Sequence, residues 1–145
     1  MEFGTIEREL FVEAAPEIVF AVVSKPEHVK QWWSDEARYE PSPGSTGEIS
    51  FGDNAVALTV IEAKPPRTFT FRWTHPAGTP PVAGNSLLVT FDLTPSGDGT
   101  LIRMTETGFR EMGWEIAVLE EQYQDHANGW DHFLSRINPY AARLR

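Results

Sequence analysis

Residues 116–137 read IAVLEEQYQDHANGWDHFLSRI, and their spacing decides the fold. Ile116, Leu119, Tyr123, Ala127, Trp130, Phe133, Leu134 and Ile137 recur at steps of three and four. Those steps lay them on one stripe of an α-helix about six turns long. Glu120, Glu121, Gln124, Asp125, Asn128, Asp131 and Arg136 form the opposite face, suited to water. A single helix cannot bury such a stripe on itself, so it needs a broad apolar surface. A β-sheet made from the preceding residues is the candidate. The helix is expected from near Glu115 to near Asn138, because Pro139 lacks the N–H that would continue it. A helix held in a curved sheet often leaves a cavity between the two, and function is sought there.

Outward from the helix, residues 38–108 read as strands and turns. Gly47–Phe51, Ala55–Ala63, Thr68–His75, Ser86–Thr94 and Thr100–Phe109 alternate apolar and polar residues or are strongly β-forming, with a weaker strand near Ala37–Glu40. Gly52-Asp53-Asn54, Pro65-Pro66 and Ser96-Gly97-Asp98-Gly99 supply turns short enough to make successive strands antiparallel neighbours. At the start of the chain, TIERELFVE (5–13) sets Ile6, Leu10 and Val12 against Glu7, Glu9 and Glu13, a half-buried strand with Arg8 on its inward face. Pro16 opens a short helix to Val23. Ser24-Lys25-Pro26-Glu27 has capping-box spacing for a second, through Trp33. Strand, two helices, about six strands and a long helix make an α+β chain: a curved antiparallel sheet of six to seven strands gripping the C-terminal helix.

The chain of 145 residues, 41% hydrophobic with five tryptophans, suits a single folded domain over residues 1–145. A net charge of −9 opposes nucleic-acid and anionic-membrane partners, which require clustered Lys and Arg. No apolar run approaches the roughly 18 residues of a membrane span. MEFGTIEREL has no secretory pattern, and zero cysteines exclude disulfides and thiol chemistry, so a cytoplasmic setting is expected.

Particular residues go further. Ala15-Pro16-Glu17 with Val19-Phe20, Lys25-Pro26-Glu27-His28 before Trp32-Trp33, and Pro66-Arg67 before an aromatic strand form one series. Gly99-Thr100, Gly108-Phe109, then His126, Gly129, Trp130 and Leu134 continue it. In this order the chain resembles the START/SRPBCC superfamily, whose fold is that of the pollen allergen Bet v 1. Within it the likeness is greatest to the branch named after the activator of the ninety-kilodalton heat-shock-protein ATPase. The resemblance implies a helix-grip fold with a hydrophobic cavity between sheet and long helix. It also implies that first and last strands are antiparallel neighbours. Residue numbers of facing pairs are then expected to sum to about 114, with Leu10 opposite Met104 and Arg8 opposite Glu106. The fold does not choose among lipid and hormone binders, cyclases and co-chaperone domains.

Candidate chemistry is sparse. The four histidines, His28, His75, His126 and His132, show no ligand spacing, so no metal and no other cofactor is expected. No nucleophile elbow or phosphate loop is present, and Gly97-Asp98-Gly99 reads as a tight turn. Adjacent helical residues do not share a face, which points Trp32 to the core and Trp33 to a cavity mouth or the surface. Inward charge is the sharper signal. Glu106, in phase with Ile102 and Met104, either pairs with Arg8 inside the sheet or anchors a ligand, alone or with His75. The expected ligand wall is Phe71, Trp73, His75, Val89, Phe91, Met104, Glu106, Tyr123 and Trp130. Three functions fit it. The first is binding of a small hydrophobic molecule, the chief partner expected. The others are an enzyme of cyclase, dehydratase or hydrolase type, and a co-chaperone-like interaction module with a chaperone partner.

Overall fold

The computed structural model describes residues 3–144. Its elements run β1 (Thr5–Val12), α1 (Pro16–Ser24), α2 (Pro26–Trp32), β2 (Glu36–Arg38), β3 (Thr46–Phe51) and β4 (Asn54–Lys64). Then follow β5 (Thr68–His75), β6 (Leu87–Ser96), β7 (Gly99–Thr107), a 3-10 turn at Arg110–Met112, α3 (Ile116–Leu134) and α4 (Ile137–Ala142). The seven strands form one antiparallel sheet in the order β1-β7-β6-β5-β4-β3-β2. Every neighbour is thus a chain-order hairpin except β1, which returns beside β7. The β6–β7 connection is the two-residue turn Gly97-Asp98, where Gly97 adopts φ 55°, a value that glycine takes without a steric penalty.

The helix stripe packs as its spacing predicts, with Leu119, Ala127, Trp130 and Leu134 buried. Its ends differ from expectation. Ile116 is 66% exposed, so the buried stripe starts at Leu119. The helix closes at Leu134, and Pro139 lies inside α4 rather than stopping α3. Position explains this: Pro139 is in the first turn of α4, where backbone N–H groups have no intrahelical acceptor and the missing one costs nothing.

The short helices α1 and α2 cover one end of the interior, burying Val19, Phe20, Val22, Val23, Val29 and Trp32. Proline opens each of them. Ser24 does not cap α2. Lys25 holds the cap position, and Ser24 Oγ instead donates to Phe20 O at 2.6 Å.

The β1–β7 pairing is antiparallel, but its register sets Leu10 opposite Ile102, Arg8 opposite Met104 and Ile6 opposite Glu106. Facing pairs therefore sum to 112 rather than 114. A shift of two leaves every side chain on its expected face and changes only its neighbours. Arg8 consequently misses Glu106. It stands inward on an edge strand, and its Nε donates to Asp131 Oδ1 of α3 at 2.6 Å, with the side chain 33% exposed. The expected buried Arg8–Glu106 pair does not form.

Candidate functional site

Where the middle of α3 crosses the ends of β3, β4 and β5, an open groove of about 350 Å³ lies between helix and sheet. Its walls are aromatic. Trp33 follows α2, Phe51 ends β3, Trp73 comes from β5, and Trp130 and Phe133 from α3. Trp33 is the hub. Its ring stacks on Trp130 at 5.2 Å and meets Trp73 edge-on at 4.9 Å and Phe51 at 5.7 Å. Asn54, Val56, Thr74, Gln122, Asp125, His126 and Gly129 complete the lining.

Beneath this wall lies Glu106, 0% exposed. A buried carboxylate requires donors, and it has three. Trp73 Nε1 donates to Oε2 at 2.8 Å, Trp130 Nε1 to Oε1 at 2.8 Å, and His126 Nδ1 lies 3.0 Å from Oε1. The indole N–H groups are satisfied by the same contacts, as buried tryptophans require. His126 spans the space between the carboxylate and the groove, with its side chain 17% exposed. Phe109, perpendicular at 5.4 Å, and Trp73, tilted at 5.4 Å, hold its ring.

The strand that supplies Trp73 changes phase just beyond it. Trp73 pairs with Leu58 but His75 pairs with the adjacent Ala57, leaving Thr74 as an extra residue. Thr74 takes φ 66°, rare for a β-branched residue, and its buried Oγ1 has no hydrogen-bond partner. The bulge reverses the alternation and turns His75 to the outer face. There its Nε2 lies 3.0 Å from Thr59 Oγ1.

Of the expected wall, then, Trp73, Trp130 and Glu106 come together. Phe71, Val89, Phe91 and Met104 lie in the packed interior, each at most 1% exposed, and do not reach the groove. Tyr123 faces β1 and not the groove, its hydroxyl donating to Thr5 O at 2.9 Å. His75 is displaced by the bulge. Trp32 is fully buried with its N–H donated to Val22 O, and Trp33 is 6% exposed at the groove. His126 stands in the family series and among the histidines weighed as metal ligands but not in the expected ligand wall, although its position three after Tyr123 and four before Trp130 puts it on the inward stripe. An inward histidine near an inward carboxylate was the available signal.

A second recess, about 380 Å³, lies between α1 and Pro65-Pro66. Its buried hydroxyl, Ser24, is already committed to Phe20 O, so size alone does not make it a site. Among the described residues no group of three or more His, Asp or Glu side chains is placed to hold a metal ion. No helix among them is long and apolar enough to cross a membrane.

The family model described as Activator of Hsp90 ATPase homolog 1-like protein matches residues 13–142. Among solved structures, protein MLL2253 from Mesorhizobium loti is similar at TM-score 0.80 and 23% identity, covering 97% of this chain and 98% of that one. The Aha1 dimer from Colwellia psychrerythraea is similar at TM-score 0.72 and 19% identity, with 92% of each chain covered. DynU16, a protein in the dynemicin biosynthetic locus, is similar at TM-score 0.70 and 21% identity, covering 94% of this chain and 46% of its own. At these identities the likeness shows the fold. No protein of curated function matches the chain.

Proposed function

We propose a function from one premise: this chain belongs to the Activator of Hsp90 ATPase homolog 1-like family, within the Bet v 1-like superfamily. Its role is to bind one small, flat, largely apolar molecule in the aromatic groove beside α3. The observation that carries this reading is Gly129. Glycine in mid-helix is less stable than alanine by roughly 0.5–1 kcal/mol. Packing does not require it here, because a Cβ at Gly129 would meet only the Phe133 ring, at an ordinary 3.8 Å. What the missing side chain preserves is open groove. An aromatic wall of this kind favours planar apolar ligands by removing them from water, and Asp125 on the rim disfavours anions.

A neutral environment-sensitive dye such as Nile red tests it. One equivalent should bind with a change in tryptophan fluorescence, since three of the five tryptophans line the groove. Gly129→Phe, which fills the groove from a position with room, should abolish binding without unfolding the protein. Absence of dye binding, or binding indifferent to Gly129→Phe, refutes the reading. The absence of cysteine suits a cytoplasmic setting. A chaperone-docking role ranks lower. Among the described residues the exposed large apolar side chains, Phe11, Ile61, Val82, Ile116, Val118 and Leu144, are distributed over β1, β4, a loop, α3 and the C-terminal end.

A further inference from the structure

The groove has a feature that binding alone does not require. Apolar ligands need an apolar wall, and a hydrophobic residue in place of Glu106 would satisfy it without desolvating a carboxylate. Instead both Glu106 oxygens accept indole N–H groups, which only donate, and His126 adds a third contact at 3.0 Å. With Glu106 ionised, and so an acceptor only, the proton of the His126 contact is on Nδ1. In the neutral imidazole that tautomer leaves Nε2 with a free lone pair, and no hydrogen-bond partner among the described residues engages it. The ring lines the groove and is clamped by Trp73 and Phe109. A base, the group that orients it and a space for a substrate are therefore contiguous.

Resting on the binding reading above, we propose that His126, held by Glu106, acts as a general base on a neutral, flat, carbonyl-bearing molecule with an acidic C–H next to the carbonyl. Nε2 takes the proton: the C–H bond breaks, an N–H bond forms, and the released electron pair moves into the carbonyl as an enolate. The resulting imidazolium sits 3.0 Å from the Glu106 carboxylate, which stabilises it. Return of the proton to carbon, or to the enolate oxygen, closes the cycle with no other reactant. Neutral substrates fit because Asp125, next to His126 on α3, and the net charge of −9 both disfavour an anion. Glu106 is a positioning residue here; His126 is the group that touches substrate.

β-Tetralone, a bicyclic aryl ketone with acidic C–H groups, is the probe. Its hydrogen exchange in heavy water, followed by proton NMR, should run roughly 10²-fold faster with the protein than with free imidazole at equal concentration. His126→Gln should remove that acceleration while β-tetralone still changes tryptophan fluorescence. Glu106→Gln should lower the exchange rate at saturation by a larger factor than it lowers the affinity for β-tetralone. Gly129→Phe keeps the pair and fills the groove, so it should also abolish exchange, which covers the case of an unfolded His126 variant. Binding of β-tetralone with wild-type exchange no faster than in His126→Gln overturns the catalytic assignment alone, whereas exchange surviving Gly129→Phe overturns that assignment and the groove reading together. Failure of both β-tetralone and Nile red to bind overturns the groove reading and the base with it.

Discussion

Trp32 and Trp33 are adjacent in sequence and stack at 6.1 Å, yet they belong to two differently built regions. Trp32 looks into the end of the interior covered by α1 and α2. Its N–H is donated to a backbone carbonyl, its ring meets Phe91 edge-on, and Phe20 meets Phe69 nearby. Most choices there agree with local rules: proline at the first turn of each helix, apolar side chains inward, Trp32 Nε1 and Ser24 Oγ bonded to backbone carbonyls. The departure is Ser34, just after α2, whose buried Oγ has no partner. Trp33 looks into the groove, where three local rules are broken within one site. A carboxylate is buried with no Lys or Arg bonded to it among the described residues, a glycine stands in mid-helix, and a threonine has a positive φ with an unpaired hydroxyl. Consistency across levels is what makes a sequence fold, and clustered departures from it mark places held for another purpose.

The two regions share Trp130, which stacks on Trp33, meets Phe91 at 6.2 Å and donates to Glu106. Trp130→Ala should therefore be the most damaging change, lowering stability by about 3–5 kcal/mol in denaturant melts. A loss below about 1 kcal/mol would break the comparison by showing that neither region depends on the helix grip. Next comes Glu106→Gln. Its amide cannot accept at both ends, so one N–H is set against an indole or imidazole donor, and a loss of about 1–3 kcal/mol is expected.

The same difference predicts that some changes at the groove stabilise. Thr74→Gly should raise stability by about 1 kcal/mol, because glycine adopts φ 66° without the Cβ clash. The Tm from calorimetry would read it, and a decrease would mean that Thr74 makes a contact worth more than its strain. Gly129→Ala should add roughly 0.5–1 kcal/mol of helix stability while weakening dye binding, a trade-off visible only if the groove is used. Smallest of all, Ile116→Ala should stay within about 0.5 kcal/mol, since the side chain is 66% exposed although its spacing places it on the apolar stripe.

Much of this was legible beforehand. The strands at Thr68–His75 and Ser86–Thr94, both short helices and the helix stripe from Leu119 onward are where spacing put them, to within a residue or two. Each is a short-range property, readable from alternation or from steps of three and four. The site was less legible. Alternation and helix spacing set Trp73, Trp130 and Glu106 toward one space, whereas His126, weighed only as a metal ligand and as part of the family series, is left out of the ligand wall. Phe71, Val89, Phe91 and Met104 were expected at the ligand because inward alternation does not distinguish a cavity wall from a packed core.

By itself, then, the sequence determined the order of elements and the face on which most side chains stand, because backbone geometry ties those to spacing along a few residues. Tertiary structure decided which side chains meet. A register of 112 rather than 114 gave Arg8 to Asp131 and freed Glu106, while every face kept its parity. One bulged residue at Thr74 turned His75 away, and the rotation of α3 over the sheet brought His126 to the carboxylate instead. Such partnerships depend on register, bulges and helix rotation, and these are set only when the whole interior packs at once.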